Sequence, residues 1–215
     1  DVNGDGLADL ILQFDQNGER HWQARLSNGT AFDVDNLFWS STDPDSVDNL
    51  QVLGIADVNG DNQADLILQF DQDGERHWQA RLSNGNAFEF NGDWTSTLTP
   101  NVSVVDVKDV NGDGLADLIL QFDQNGERHW QARLSNGTAF DVDNLFWSST
   151  DPDSVDNLQV LGIADVNGDN QADLILQFDQ DGERHWQARV SNGTAFDVDN
   201  HFWSSTDPDS VDNLQ

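Results

Sequence analysis

Asp1-Val2-Asn3-Gly4-Asp5-Gly6-Leu7-Ala8-Asp9 decides the reading of this chain. The same nine-residue pattern returns at 57–65, 109–117 and 165–173. Each copy sets Asp or Asn side chains at loop positions 1, 3, 5 and 9 and then runs into an apolar segment such as Leu10-Ile11-Leu12. Three carboxylates, one amide carbonyl and one backbone carbonyl form an oxygen-only donor set. Such a set suits Ca²⁺, which takes six to eight oxygens in forgiving geometry. The chain has no Cys, so thiolate sites and disulfides are both excluded.

Self-comparison gives the organisation. The loops begin at residues 1, 57, 109 and 165, and residues 1–81 are identical to 109–189. The larger unit is therefore a 108-residue pair, and its halves differ over their first 32 residues only at Gly6/Asn62, Leu7/Gln63, Asn17/Asp73 and Thr30/Asn86. Recent duplication and deliberate construction both produce identity of this kind. The repeats are residues 1–56, 57–108, 109–164 and the incomplete 165–215.

Each repeat reads as β-structure. Residues 8–14 form a strand, Asp15-Gln16-Asn17-Gly18 a turn in which Gly supplies positive φ, and residues 19–26 a second strand alternating Trp22, Ala24 and Leu26 with His21, Gln23 and Arg25. Ser27-Asn28-Gly29 turns into a short strand near Ala31-Phe32. A polar loop carrying Phe38-Trp39 follows, and Leu50–Ala56 is a strand that feeds the next metal loop. No helical periodicity occurs. About four strands per 52–56 residues is the period of a propeller blade. The expected fold is an all-β propeller of four-stranded blades, circularly offset so that the chain starts inside a blade. Four blades close alone, join a second copy as a homo-oligomer, or belong to a larger ring; an open stack is the alternative architecture.

The stretch Asp-Val-Asn-Gly-Asp-Gly-Leu-Ala-Asp-Leu-Ile-Leu resembles the calcium-binding FG-GAP or VCBS repeats of integrin-like propellers, across all four units. The resemblance implies one Ca²⁺ per repeat, bound at positions 1, 3, 5 and 9 and by the carbonyl of position 7. These are Asp1, Asn3, Asp5, Leu7 and Asp9; Asp57, Asn59, Asp61, Gln63 and Asp65; Asp109, Asn111, Asp113, Leu115 and Asp117; and Asp165, Asn167, Asp169, Gln171 and Asp173. Position 6 departs from Gly at Asn62 and Asn170, and Asn tolerates the left-handed backbone. An EF-hand would need an acid at position 12 and flanking helices, but Leu12, Leu68, Leu120 and Leu176 stand there.

Charge bounds the partners. Nine basic against forty acidic residues give −31, which argues against nucleic acid and an anionic membrane surface. No apolar run reaches the ~20 residues of a membrane span. Four bound Ca²⁺ would bring −31 to −23.

Beyond the loops, His21, His77, His129 and His185, with Arg25, Arg81, Arg133 and Arg189 on the same strand side, form a polar stripe. The stripe reads as an inter-blade hydrogen-bond ladder before it reads as a glycan site. Trp39, Trp94, Trp147 and Trp203 in the long connections either stack on a sugar or plug the gap between blades. No nucleophile or acid–base arrangement stands out, and acids repeated in every unit point to ligation rather than to one asymmetric catalytic site. No catalytic residue is assigned, and the chain is expected not to be an enzyme. Two functions remain: a secreted, multivalent, lectin-like module binding a glycan or cell-surface ligand, and a structural or adhesive scaffold of a surface protein, filament or toxin. Millimolar Ca²⁺ is an extracellular condition, so an extracellular or cell-surface address is expected.

Overall fold

The computed structural model describes residues 1–42, 47–97, 102–142, 146–150 and 155–206, with the side chains of 35–39, 41–42, 96–97, 147, 149–150, 200–201, 203 and 205–206 left aside. Among them there is no helix, and so none long and apolar enough to cross a membrane. Among the described residues, fifteen strands form four antiparallel sheets. The first holds β1 (Leu10–Gln16), β2 (Glu19–Ser27) and β3 (Phe32–Thr42). The second holds β4 (Asp48–Ala56), β5 (Asp65–Gln72), β6 (Glu75–Ser83) and β7 (Phe88–Thr97). The third holds β8 (Ser103–Lys108), β9 (Asp117–Gln124), β10 (Glu127–Arg133) and β11 (Phe146–Thr150). The fourth holds β12 (Asp156–Ala164), β13 (Asp173–Gln180), β14 (Glu183–Ser191) and β15 (Phe196–Thr206). Strands pair in sequence order within every sheet. The sheet frame is thus offset from the repeat frame: β4, at the end of residues 1–56, opens the sheet that carries the next repeat's loop.

Local chemistry explains the hairpins. Asn17 and Gly18 both have positive φ (56° and 84°), as do Asp73-Gly74, Asn125-Gly126 and Asp181-Gly182. Two successive left-handed residues make the turn whose twist matches two antiparallel strands. Across the pair, Arg76 donates from Nε and Nη2 to both oxygens of Asp71 at 2.9 and 3.2 Å. Trp22, Trp78 and Trp130 are buried and Trp186 is half-buried, and each indole N–H is satisfied one strand away: Trp22 by Gln13, Trp78 by Gln69, Trp130 by Gln121 and Trp186 by Gln177, at 2.9–3.1 Å.

The third strand is longer than the sequence implied. β3 pairs with β2 from Ser27↔Phe32 to Arg20↔Thr42 and absorbs Phe38 and Trp39 after a register shift near Arg25. Trp94 likewise belongs to β7 rather than to a loop. A bulge hides the continuation, because it breaks the period-two alternation that marks a strand.

The chain divides into two compact units, Asp1–Pro100 with Ser135–Phe140, and Asn101–Leu134 with Asp141–Gln215. In the first unit, Val2, Trp22 and Ala24 of one sheet pack against Leu66, Leu68 and Phe88 of the next. In the second, Val110, Trp130, Ala132 and Phe146 pack against Leu174, Leu176 and Phe196.

The buried Trp is the largest single contribution to each core. Trp130→Ala is expected to cost about 3–5 kcal/mol, whereas Gln121→Ala, which only strands the indole N–H, should cost about 1–3 kcal/mol. Urea unfolding checks both, and equal losses would show that packing of the ring does not outweigh its hydrogen bond.

Candidate metal centre

In the second, third and fourth sheets the nine-residue loop lies between the first and second strands, as Asp57–Ala64 connects β4 to β5, and in the first sheet it leads into β1. Its geometry follows from side chains that bond their own backbone. Asp57 Oδ1 accepts from Gly60 N at 2.6 Å and Asn59 N at 3.2 Å, and Oδ2 from Asn62 N at 2.8 Å. Asn59 Oδ1 accepts from Asp61 N at 3.0 Å, and its amide donates to Asp61 Oδ2 at 3.1 Å. Asp61 Oδ1 accepts from Gln63 N at 2.8 Å. Asp65 closes the loop: Oδ2 accepts from Val58 N at 3.1 Å and Oδ1 from Ser83 N at 2.8 Å. The other copies repeat these bonds, including Asp9 to Val2 and Ser27, and Asp173 to Val166 and Ser191.

The backbone is equivalent in both loop variants. Gly4 at position 4 has φ 77°, and at position 6 Gly6 has φ 85° where Asn62 has 64° and Asn170 65°. A Cβ at Gly4 would also lie 3.3 Å from Gln63 Cγ, a contact that a small shift of the flexible Gln side chain relieves, so the positive φ is the firmer requirement.

Electrostatics separates the acids. Burial pushes the Asp65 carboxyl up to about 7 against two favourable backbone N–H bonds, and the charges of Asp61 and Asp57 push it the same way. Burial also raises Asp173, with Asp169 and Asp165 adding to it. Asp5, fully exposed, is lowered by the hydrogen bond from Asn3 and the N–H of Leu7. Among the described residues no three His, Cys, Asp or Glu side chains converge into a metal-holding group. The loop oxygens face backbone N–H donors instead, although a carboxylate oxygen bearing one such bond retains a second lone pair. The donor set fits a hard cation: all oxygen, like charges in one short loop, and a buried acid held ionised only at cost.

Three of the loops are also stapled to the following repeat. Ala64 N donates to Asp1 O at 2.7 Å and Ala172 N to Asp109 O at 2.8 Å. Ser83 Oγ donates to Val2 O, Ser191 Oγ to Val110 O, and Ser135 Oγ to Val58 O at 2.6 Å. These serines were missed by sequence reading, and their signal is the Ser before Asn-Gly in every repeat.

The polar stripe is largely internal. Arg81 and Arg189 are buried. Arg81 donates to Ser40 Oγ at 2.6 Å and Gln79 Oε1 at 3.2 Å and lies 5.4 Å over the Trp22 ring. Arg189 repeats this with Ser148, Gln187 and Trp130. Arg25 and Arg133 are half-buried. His21, His77, His129 and His185 stack on Phe14, Phe70, Phe122 and Phe178 with centroids 5.2–5.4 Å apart. His77 Nδ1 also lies 3.0 Å from Asp93 Oδ2. Trp94 is buried edge-on against Phe140, with centroids 5.2 Å apart. Trp39, Trp147 and Trp203 pair through their backbones with Gln23, Gln131 and Gln187; their side chains lie outside the description.

Comparison with known proteins agrees with the repeat resemblance. Residues 57–120 match the FG-GAP-like repeat model. A T-cell immunomodulatory protein homolog of Plasmodium falciparum (isolate 3D7) is 27% identical over 131 residues, covering 56% of this chain and 18% of that protein. The chain thus matches under a fifth of that relative's length. No solved structure matches. The match supports FG-GAP repeats over residues 57–120, and the identity of 1–81 with 109–189 carries parts of the matched sequence into the flanking copies.

Proposed function

We propose that this chain is a calcium-braced run of β-propeller blades from an extracellular or surface adhesion protein, with a scaffolding rather than catalytic role. The observation that carries this reading is the buried Asp65, pressed by Asp57 and Asp61 in a loop whose side-chain donors are all oxygens. One Ca²⁺ per loop would be held by positions 1, 3, 5 and 9 with the position 7 carbonyl. The cation supplies the positive charge that lets three carboxylates stay ionised together. The protein's own residues do the rest: Asp65 ties Val58 to Ser83, and Ala64 ties its loop to Asp1.

A lectin-like role is the weaker reading at the polar stripe. Arg81 and Arg189 would have to leave Ser40 and Ser148 to meet a sugar. Their burial supports the ladder between sheets. Arg81→Ala should lower stability by about 1.5–3 kcal/mol, the loss of a charged hydrogen bond. Glycan-array binding retained by wild type and lost in a stable Arg81→Ala protein would restore the sugar site.

Calorimetric titration should find about four Ca²⁺ per chain, one per loop. With free Ca²⁺ about 100-fold above Kd, each site adds about 2.7 kcal/mol to stability, so EGTA should lower the melting temperature markedly. An unmoved melting temperature would remove the calcium reading.

Metal-free protein should also respond to pH in an unusual direction. Asp65 titrates at about 7 when folded and near 3.9 when unfolded. Between those values the folded state holds the extra proton, so this group's contribution to stability falls as pH rises from about 4 to 7. Asp179, held at about 2 by Arg184 and Asn157, contributes in full above about pH 4 and loses its contribution only as pH drops towards 2. In EGTA the melting temperature is therefore expected to be higher at pH 5 than at pH 7. With Ca²⁺ the order reverses, because proton and metal compete for the same carboxylates. A chelated protein that is more stable at pH 7 would contradict the burial argument.

A further inference from the structure

The dipeptide Asn-Gly occurs eleven times in this chain, in settings that restrain it very differently. Here a backbone nitrogen can reach the preceding side-chain amide, because Gly carries no Cβ to block the approach. In the four metal loops both groups are held. Gly4 N donates to Asp1 Oδ1 at 2.7 Å, and the Asn3 amide donates to Asp5 Oδ2 at 3.0 Å. Gly60, Gly112 and Gly168 repeat the first of these bonds at 2.6–2.7 Å. In the four Ser-Asn-Gly turns the amide oxygen is held instead. Asn28 Oδ1 accepts from Thr30 N, Thr30 Oγ1 and Ala31 N at 2.8–3.0 Å, and Gly29 N donates to Ser27 Oγ at 3.2 Å. Asn84, Asn136 and Asn192 accept from the equivalent backbone N–H groups. A further pair, Asn91-Gly92, lies within β7, where Gly92 is half-buried.

Asn17-Gly18 and Asn125-Gly126, at the tips of the β1–β2 and β9–β10 hairpins, have no such restraint. Among the described residues no hydrogen bond engages either side-chain amide or either glycine N–H. Both pairs are exposed. A Cβ placed on Gly18 or Gly126 would meet nothing within 4 Å, so there is room beside the nitrogen for a ring to close. The tips of the second and fourth sheets are exposed as well, although each of those sheets has a neighbour packed on it. Exposure therefore belongs to the hairpin tip and not to the place of a sheet in the chain. Those two tips carry Asp73-Gly74 and Asp181-Gly182 on the same backbone. φ is 53° and 54° at Asp73 and Asp181, against 56° and 55° at Asn17 and Asn125. The fold thus already holds a carboxylate at this position in two of its hairpins.

We propose that Asn17 and Asn125 are self-deamidation sites, which convert with time to the acid that the second and fourth hairpins encode. The Gly18 nitrogen gives its proton to hydroxide and bonds to Asn17 Cγ. The Cγ–Nδ2 bond then breaks, and Nδ2 takes up a proton and leaves as ammonia. Water opens the resulting cyclic imide in one of two ways. Breaking the new N–Cγ bond gives Asp on an unchanged backbone. Breaking the original peptide C–N bond gives isoaspartate, whose chain runs through Cβ and Cγ. Each site consumes one water and releases one ammonia, with no oxidant or cofactor. The Asp product keeps the turn seen at Asp73-Gly74. The isoaspartyl product adds a backbone atom to a turn that spans only two residues between Gln16 and Glu19, and so opens the tip. Either product adds one negative charge per site to the −31 of the chain.

Peptide mapping by mass spectrometry, on the full chain kept folded with Ca²⁺ in mildly alkaline buffer, tests this. Asn17 and Asn125 are expected to outpace the eight Asn held in loops and turns by about tenfold or more, since ring closure there must first break a hydrogen bond. In urea-unfolded chain that difference should vanish. Both products are expected at the tips, the isoaspartyl one identified by methylation with an isoaspartyl methyltransferase. Asn17→Asp combined with Asn125→Asp should abolish ammonia release from the tips and keep the wild-type melting temperature. Tips that retain their amides in folded chain while unfolded chain loses them overturn the proposal, as do tips and held sites that convert at one rate. A lowered melting temperature in the double variant overturns acceptance of the Asp product by the turn.

Discussion

A loop-closing carboxylate gripping two distant backbone N–H groups, buried at Asp65 and Asp173 and half-buried at Asp9, is the constraint on which the sheets depend. Asp65 joins Val58, at the start of its loop, to Ser83, at the end of β6. That one side chain fixes where the loop begins, how β5 leaves it and where the hairpin returns. Removing water from a carboxylate costs several kcal/mol unless the lost hydrogen bonds are replaced, and two backbone donors replace only part of them. The remaining cost appears as the raised pKa of Asp65. Elsewhere in the sheet the architecture is conventional hairpins and Trp–Gln pairs, which do not need a cation.

The loop is also the mortar between sheets. Its first carbonyl takes the N–H of Ala64, and its second takes the hydroxyl of Ser83. Both donors belong to the following repeat. Order in one loop is therefore transmitted to the seating of the next sheet, and local loosening of a loop would loosen two sheets at once. Arg81 has the same double membership: it is held by Gln79 in its own sheet and by Ser40 in the sheet before. A guanidinium can satisfy both because its donors are spread over a rigid plane.

Much of this was legible in the sequence, and what was missed shares one cause. Asn17-Gly18 and its equivalents gave the hairpins, and the Trp22/Ala24 alternation gave the buried face. The position of the loop between two strands followed from Leu50–Ala56 running into Asp57. Residues 38–42 were hidden because β3 shifts register near Arg25, which destroys the alternation by which a strand is recognised. Trp94 lay in a shorter, differently composed connection, so its burial against Phe140 had no repeat to reveal it. The serine staples were visible but ambiguous, since Ser before Asn-Gly is ordinary turn composition. Tertiary partners decide such residues, and a single repeat does not contain its own partner.

The pairing of repeats into 108-residue units has a physical reading of the same kind. Within a pair, the second loop replaces Gly-Leu at positions 6 and 7 by Asn-Gln. Gln63 packs on Gly4 of the loop before it, close enough that a Cβ at Gly4 would sit 3.3 Å from its Cγ, and Gln171 repeats this at 3.1 Å from Gly112. Leu7, at the same position in the first loop, is instead exposed. Asn62 holds a left-handed backbone that Gly6 reaches more cheaply, so the exchange is not driven by the loop's own conformation. The Gln side chain meets the preceding repeat through its aliphatic stem, and its Oε1 is buried with no hydrogen-bond partner among the described residues, so the exchange adds a packing contact rather than a hydrogen bond.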